Sequence, residues 1–133
     1  QLNITAGHQK ARIKLDFSIE FQDRVWMIVK FAPGSLVTRR LSNLAISRVI
    51  EPYQIPVVVT TNGEDAEIIN GNTGKVNGCG LTAIPSKETL VCLDPDELFS
   101  PVSSSLYEKA SRIVYACEVD GACPCDSDIC IEK

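Results

Sequence analysis

The sequence predicts an α+β fold: an antiparallel β-sheet packed against two amphipathic helices, with a disulfide-stabilised C-terminal half. Three observations carry this. Ala11, Ile13, Leu15, Phe17, Ile19 and Phe21 alternate without a slip against Arg12, Lys14, Asp16, Ser18 and Glu20, the period of a strand with one face buried. Two later stretches repeat their apolar residues at helical spacing. All six cysteines fall beyond residue 78.

In chain order, Gln1–Gly7 is small or polar and reads as a lead-in. Ala11–Phe21 follows as one long strand with Phe17 on the core side, and a one-residue slip would exchange its two faces, so its pairing is strongly specified. Gln22-Asp23-Arg24 separates it from Val25–Phe31, whose run of apolar residues without polar alternation marks a strand covered on both sides and therefore central. Pro33-Gly34-Ser35 ends the strand and supplies an N-cap. Leu36, Val37, Leu41, Leu44, Ala45, Val49 and Ile50 then predict a helix over Leu36–Ile50, with Arg39, Arg40, Asn43, Ser47 and Arg48 on its solvated side and Pro52 as the stop.

Val57–Thr61 is a third strand, Asn62-Gly63 the strongest hairpin signal in the chain, and Ala66–Ile69 the returning strand. Asn70–Gly78 has one apolar anchor, Val76, and is expected to be the most mobile loop. Leu81–Ile84 and Thr89–Leu93 read as short strands on either side of Pro85-Ser86, with Cys92 on the second. Asp94-Pro95-Asp96-Glu97 begins a turn. Ser105 with Glu108 three residues on is a capping box, opening a helix whose stripe of Leu106, Ala110, Ile113, Val114 and Cys117 turns Cys117 inward. Glu118–Lys133 has no periodicity.

A chain of 133 residues with 44% hydrophobic content fits one domain that buries roughly two-thirds of its unfolded surface. That single domain is expected to divide into a core over 1–116 and a cysteine-rich tail over 117–133 pinned to it. The net charge of −4 and pI near 5.0, with arginines dispersed, leave no basic stripe for nucleic acid. The longest apolar run, Val25–Val29, is far short of the ~20 residues of a membrane span.

Cys79, Cys92, Cys117, Cys123, Cys125 and Cys130 are an even number and read as three disulfides. Cys123 and Cys125 stand too close along the chain to bond each other without strain, which removes three of the fifteen connectivities and leaves twelve. The competing reading is a four-thiolate zinc cage of Cys117, Cys123, Cys125 and Cys130, which lacks the usual x2–4 knuckles. Asn3-Ile4-Thr5 is an N-glycan acceptor at Asn3. Gln1 in place of Met reads as the end left by signal-peptide cleavage. Together these predict a secreted, extracellular protein. The tail spacing Cys117-x5-Cys123-x-Cys125-x4-Cys130 is similar to the cysteine-rich connector near the end of complement-type thioester proteins. The likeness spans about fourteen of the 133 residues, and the segment before it has no match to that family's preceding domain.

Catalytic constellations are sparse. His8, the single histidine, sits in the lead-in, a poor place for a buried catalytic base. Gly71-Asn72-Thr73-Gly74-Lys75-Val76 lacks both the spacing and the hydroxyl of a phosphate loop. The clusters Asp94, Asp96, Glu97 and Glu118, Asp120, Asp126, Asp128 offer oxygen ligands for calcium without EF-hand spacing. As a carboxylate pair for glycoside hydrolysis they lack aromatic platforms, with one Trp and three Tyr in the chain. Cys123-Pro124-Cys125 reads as part of a structural bridge cluster before a redox pair. The expectation is a non-catalytic extracellular binding or assembly subunit without a cofactor, engaging a protein partner or itself through the edge of the hairpin Ala11–Phe31, which no cysteine ties down, with a closed homodimer as the simplest assembly. The alternative is a small secreted enzyme or calcium-dependent binder using the acidic clusters.

Overall fold

The computed structural model describes residues 2–6, 9–13, 15–93 and 98–119. Side chains are described for 15–93 and 98–117. The architecture is α+β, with a five-stranded sheet and a separate two-stranded one.

The alternating stretch divides into two strands. β1 (Leu2–Ala6) and β2 (Gln9–Ile13) form the two-stranded antiparallel sheet, so the expected lead-in is itself a strand. β3 (Phe17–Phe21) starts afresh in the larger sheet. The alternation of the sequence runs on unbroken from β2 into β3, because pleat periodicity records which side is apolar and not which partner is paired. Asp16 helps fix the second start, its Oδ2 accepting the Phe31 N–H at 2.9 Å. Phe17 is not in the core as its phase suggested. It is 66% exposed at the outer end of β3.

β3 and β4 (Arg24–Phe31) form the expected hairpin. Gln22 and Asp23 both take positive φ, 54° and 59°, the conformation of a two-residue turn whose twist matches the strands. β4 is central and buried along Val25–Ile28. A bulge, with Ile19 opposite Met27 and Glu20 opposite Val25, brings neighbouring Trp26 and Met27 to one side of the sheet.

The sheet is mixed and not antiparallel throughout. α1 (Val37–Ser47) carries the chain from β4 to β5 (Val57–Thr61), which pairs parallel with β4. The apolar run of β4 foretold burial on both faces but not that a crossover helix would follow it. β6 (Ala66–Asn70) and β7 (Val76–Cys79) complete the order β3-β4-β5-β6-β7. The Asn62-Gly63 hairpin is present, with Asn62 Oδ1 accepting the N–H groups of Glu64 and Asp65. The expected loop over Asn70–Gly78 is a second tight hairpin. Asn70 Oδ1 accepts from Asn72 and Thr73, and Gly74 N–H donates to Asn70 O. At Gly71 a Cβ would lie 1.6 Å from the Ile55 carbonyl oxygen, so this turn admits only glycine there.

The segments expected as strands at Leu81–Ile84 and Thr89–Leu93 are helical: a 3-10 turn at Leu81–Ala83, then α2 (Lys87–Val91) with Cys92 as its C-cap. A short apolar run does not separate strand from helix. Here Ser86 decides, its hydroxyl accepting the Thr89 N–H. α3 (Ser104–Val114) begins two residues earlier than the capping box at Ser105 indicated, with Ser103 accepting the Leu106 N–H, and continues as a π turn over Tyr115–Val119. Glu108 pairs with Arg112 at 2.6 Å. Ala110, Val114 and Cys117 are buried, as the stripe predicted.

The sheet is covered on both sides. α1 and α3 lie over one face around Val25, Ile28, Val58 and Ile69. The segment of the 3-10 turn and α2, with Leu98 and Phe99, covers Met27, Val57, Val59 and Ile68 on the other. Trp26 anchors that second face. It stacks on Phe21 at 4.3 Å, meets Phe99 edge-on at 4.9 Å and donates its indole N–H to Phe21 O.

α1 is rotated from its expected seat. Val37 and Leu41 are exposed, whereas Asn43 and Ser47, expected in water, are buried. The cause lies in the strands beneath. The row Lys30, Thr60, Glu67, Cys79, one residue from each of β4 to β7 in register, presents polar groups to the helix, and α1 answers with polar groups of its own. The N-cap position is Leu36, with no side-chain bond, so Ser35 does not cap. Arg48 is half-buried, its Nε enclosed without a hydrogen-bond partner, and burial lowers its pKa below that of a free guanidinium.

Candidate protein-binding edge

Among the described residues three places gather groups that could act on something outside the fold. One is the polar row under α1. Arg40 grips Glu67 bidentately, Nε to Oε1 at 3.2 Å and Nη2 to Oε2 at 2.5 Å, and Asn43 Nδ2 donates to Thr60 Oγ1 at 2.8 Å. It lies at the carboxyl ends of the parallel pair β4 and β5, where open sheets often bind ligands. Its Glu67 carboxylate is held by the Arg40 guanidinium and its Thr60 hydroxyl by the Asn43 amide, and these pairs specify how α1 seats on the sheet.

The second place is the outer edge of β3. Among the described residues β3 pairs with β4 alone. Which of its backbone groups face out follows from its neighbour. Phe31 N–H points toward Asp16, on the β3 side, while Ala32 N–H bonds Thr61 O on the β5 side. By the pleat, Val29 and Met27 also address β3, so their partners Phe17 and Ile19 spend their N–H and C=O groups inward. Ser18 and Glu20 present theirs outward. The edge carries apolar groups: Phe17 is 66% and Phe31 50% exposed, on the face that also carries Ile19 and Phe21. Ser18 and Glu20 stand on the opposite face, the Ser18 hydroxyl 3.4 Å from Glu20 Oε1.

A cavity of about 280 Å³ also opens under β5 to β7, floored by Val57 and Ile68 and rimmed by Asn70, Asn77 and Thr89. Asn77 and Thr89 are exposed, and Asn70 Oδ1 is spent on the turn that follows β6.

The residues singled out from sequence are scattered. Cys79 ends β7 and Cys92 caps α2, both exposed, and Cys117 is buried after α3. No disulfide joins these three to one another. Cys123, Cys125 and Cys130 lie outside the described residues, as do His8, Asp94, Asp96, Glu97, Asp120, Asp126 and Asp128. Asn3 sits in β1 opposite Arg12. Among the described residues no cluster of three or more His, Cys, Asp or Glu is placed to hold a metal, and no helix is long and apolar enough to cross a membrane. Sequence reading missed Phe31, and it placed Phe17 inside. The edge itself was legible in the sequence as that of the hairpin Ala11–Phe31, which precedes every cysteine and so has no covalent tie. No family model, curated protein or solved structure matches this chain.

Proposed function

We propose that this chain is a secreted, non-catalytic binding or assembly subunit that engages a protein partner along β3. The observation that carries the reading is the outer edge of β3, unpaired among the described residues, where outward backbone groups of Ser18 and Glu20 run beside the exposed rings of Phe17 and Phe31. Such an edge accepts an extended segment by strand addition, main-chain hydrogen bonds giving affinity and alternate side chains giving selectivity. Secretion is supported by the six cysteines, read as three structural disulfides, and by the glycan acceptor at Asn3. The polar row is read as structural, because its Arg40–Glu67 and Asn43–Thr60 pairs join α1 to the sheet.

Protein isolated from its natural source without denaturant tests this. It is expected to elute in an assembly larger than its own 14.5 kDa. A Phe17→Lys, Phe31→Lys double variant is expected to leave that assembly while melting within about 1 kcal/mol of the parent, as surface changes do. A native chain that elutes alone at every concentration refutes the reading.

A further inference from the structure

We infer that the partner of the β3 edge is a second copy of β3, paired antiparallel about a two-fold axis through Ile19. This rests on the reading of β3 as the contact surface and names its occupant. The residues are Phe17-Ser18-Ile19-Glu20-Phe21, and their pattern reads alike in both directions. Turned about Ile19, Phe17 falls opposite Phe21 of the second copy, Ser18 opposite Glu20, and Ile19 opposite itself.

The backbone agrees with this register. Ser18 and Glu20 are the residues whose N–H and C=O groups face outward, so each Ser18–Glu20 pair exchanges two hydrogen bonds across the axis, while Ile19 meets Ile19 as a non-hydrogen-bonded pair with close side chains. Neighbouring registers fail on charge. An axis through Ser18 sets Asp16 against Glu20, and an axis through Glu20 sets that carboxylate against its own copy. Like charges directly opposite are destabilising. Only the axis through Ile19 pairs all five residues of the strand without placing one carboxylate facing another. It also explains the exposure of Phe17, whose ring gains the second copy's Phe21 as a neighbour; Phe21 is already held rigid by its stack on Trp26. The interface is isologous and closes at two copies, with the sheets joined into one continuous sheet. The two Glu20 carboxylates remain diagonal neighbours, about 7–8 Å apart at the backbone, a mild repulsion that limits the affinity.

Sedimentation velocity of the purified full chain, alone and over a range of concentration, tests this. The wild type is expected to pass from monomer to dimer as concentration rises. Ser18→Pro removes an outward N–H that β4 does not use, at an edge position where proline is tolerated, and is expected to weaken the dimer at least about tenfold, or ~1.4 kcal/mol. Glu20→Gln relieves the diagonal repulsion and is expected to tighten it two- to fivefold or so, an effect that mere damage to the fold would not produce. A wild-type boundary that stays monomeric overturns the inference, and so does a Glu20→Gln chain that dimerises more weakly than the wild type. A purified chain that is monomeric while the natural material remains in a larger assembly overturns self-pairing but leaves the binding reading standing, so the two fail separately.

Discussion

Tyr53 shows how one polar atom ties this fold together. Its hydroxyl accepts the Val25 N–H at 2.8 Å, and its ring meets Phe99 edge-on, so it joins the start of the central strand to the segment after α2. Burial raises its pKa above the ordinary 10.0, against the lowering effect of the Val25 N–H. With the folded-state value raised, the native protein keeps a proton that the unfolded chain releases. The associated stability is therefore whole below about pH 10 and declines as pH rises through the folded value. Tyr53→Phe leaves the Val25 N–H unpaired and is expected to cost about 1–3 kcal/mol at pH 7. Denaturant titrations should find the gap between the two proteins narrowing above pH 10. A gap constant with pH would contradict this assignment. The same scale explains why Asn43 and Ser47 were placed in water by their chemistry. A buried amide is admissible where a hydroxyl such as Thr60 waits for it, and nothing in the helix sequence announces that.

At the scale of elements, the sequence was most legible where backbone chemistry is local. The β3–β4 and β5–β6 hairpins, the central run of β4 and the inward stripe of α3 all stand where turn residues and periodicity put them. It was least legible where two structures share a pattern. Ala11–Phe21 alternates across two strands of different sheets, and Thr89–Leu93 is an apolar run that Ser86 turns into a helix. The β3–β4 turn offers a test. Gln22 and Asp23 hold positive φ, a conformation costing most side chains roughly 1–2 kcal/mol per residue. Replacing the pair by Asn-Gly is expected to stabilise the protein by about 1 kcal/mol and raise Tm by a few degrees. An unchanged or lower Tm would show that the turn carries no strain.

For the whole molecule, pattern foretold an α+β fold with helices on a sheet, but not the parallel pairing of β4 with β5, because a crossover is written in the order of elements and not in either strand. The candidate site was legible only as the edge of a hairpin that no cysteine ties down. That β3 is the edge is a property of strand order, which emerges only when the seven strands of the described residues choose partners. Amide hydrogen exchange on the wild-type chain, at low concentration and about a hundredfold higher, reports on that edge residue by residue. Self-pairing predicts that the outward amides of Ser18 and Glu20 slow together with rising concentration, while those of Phe17 and Ile19, already spent on β4, stay as they were. Ser18 and Glu20 exchanging at the same rate at both concentrations would contradict assembly through β3.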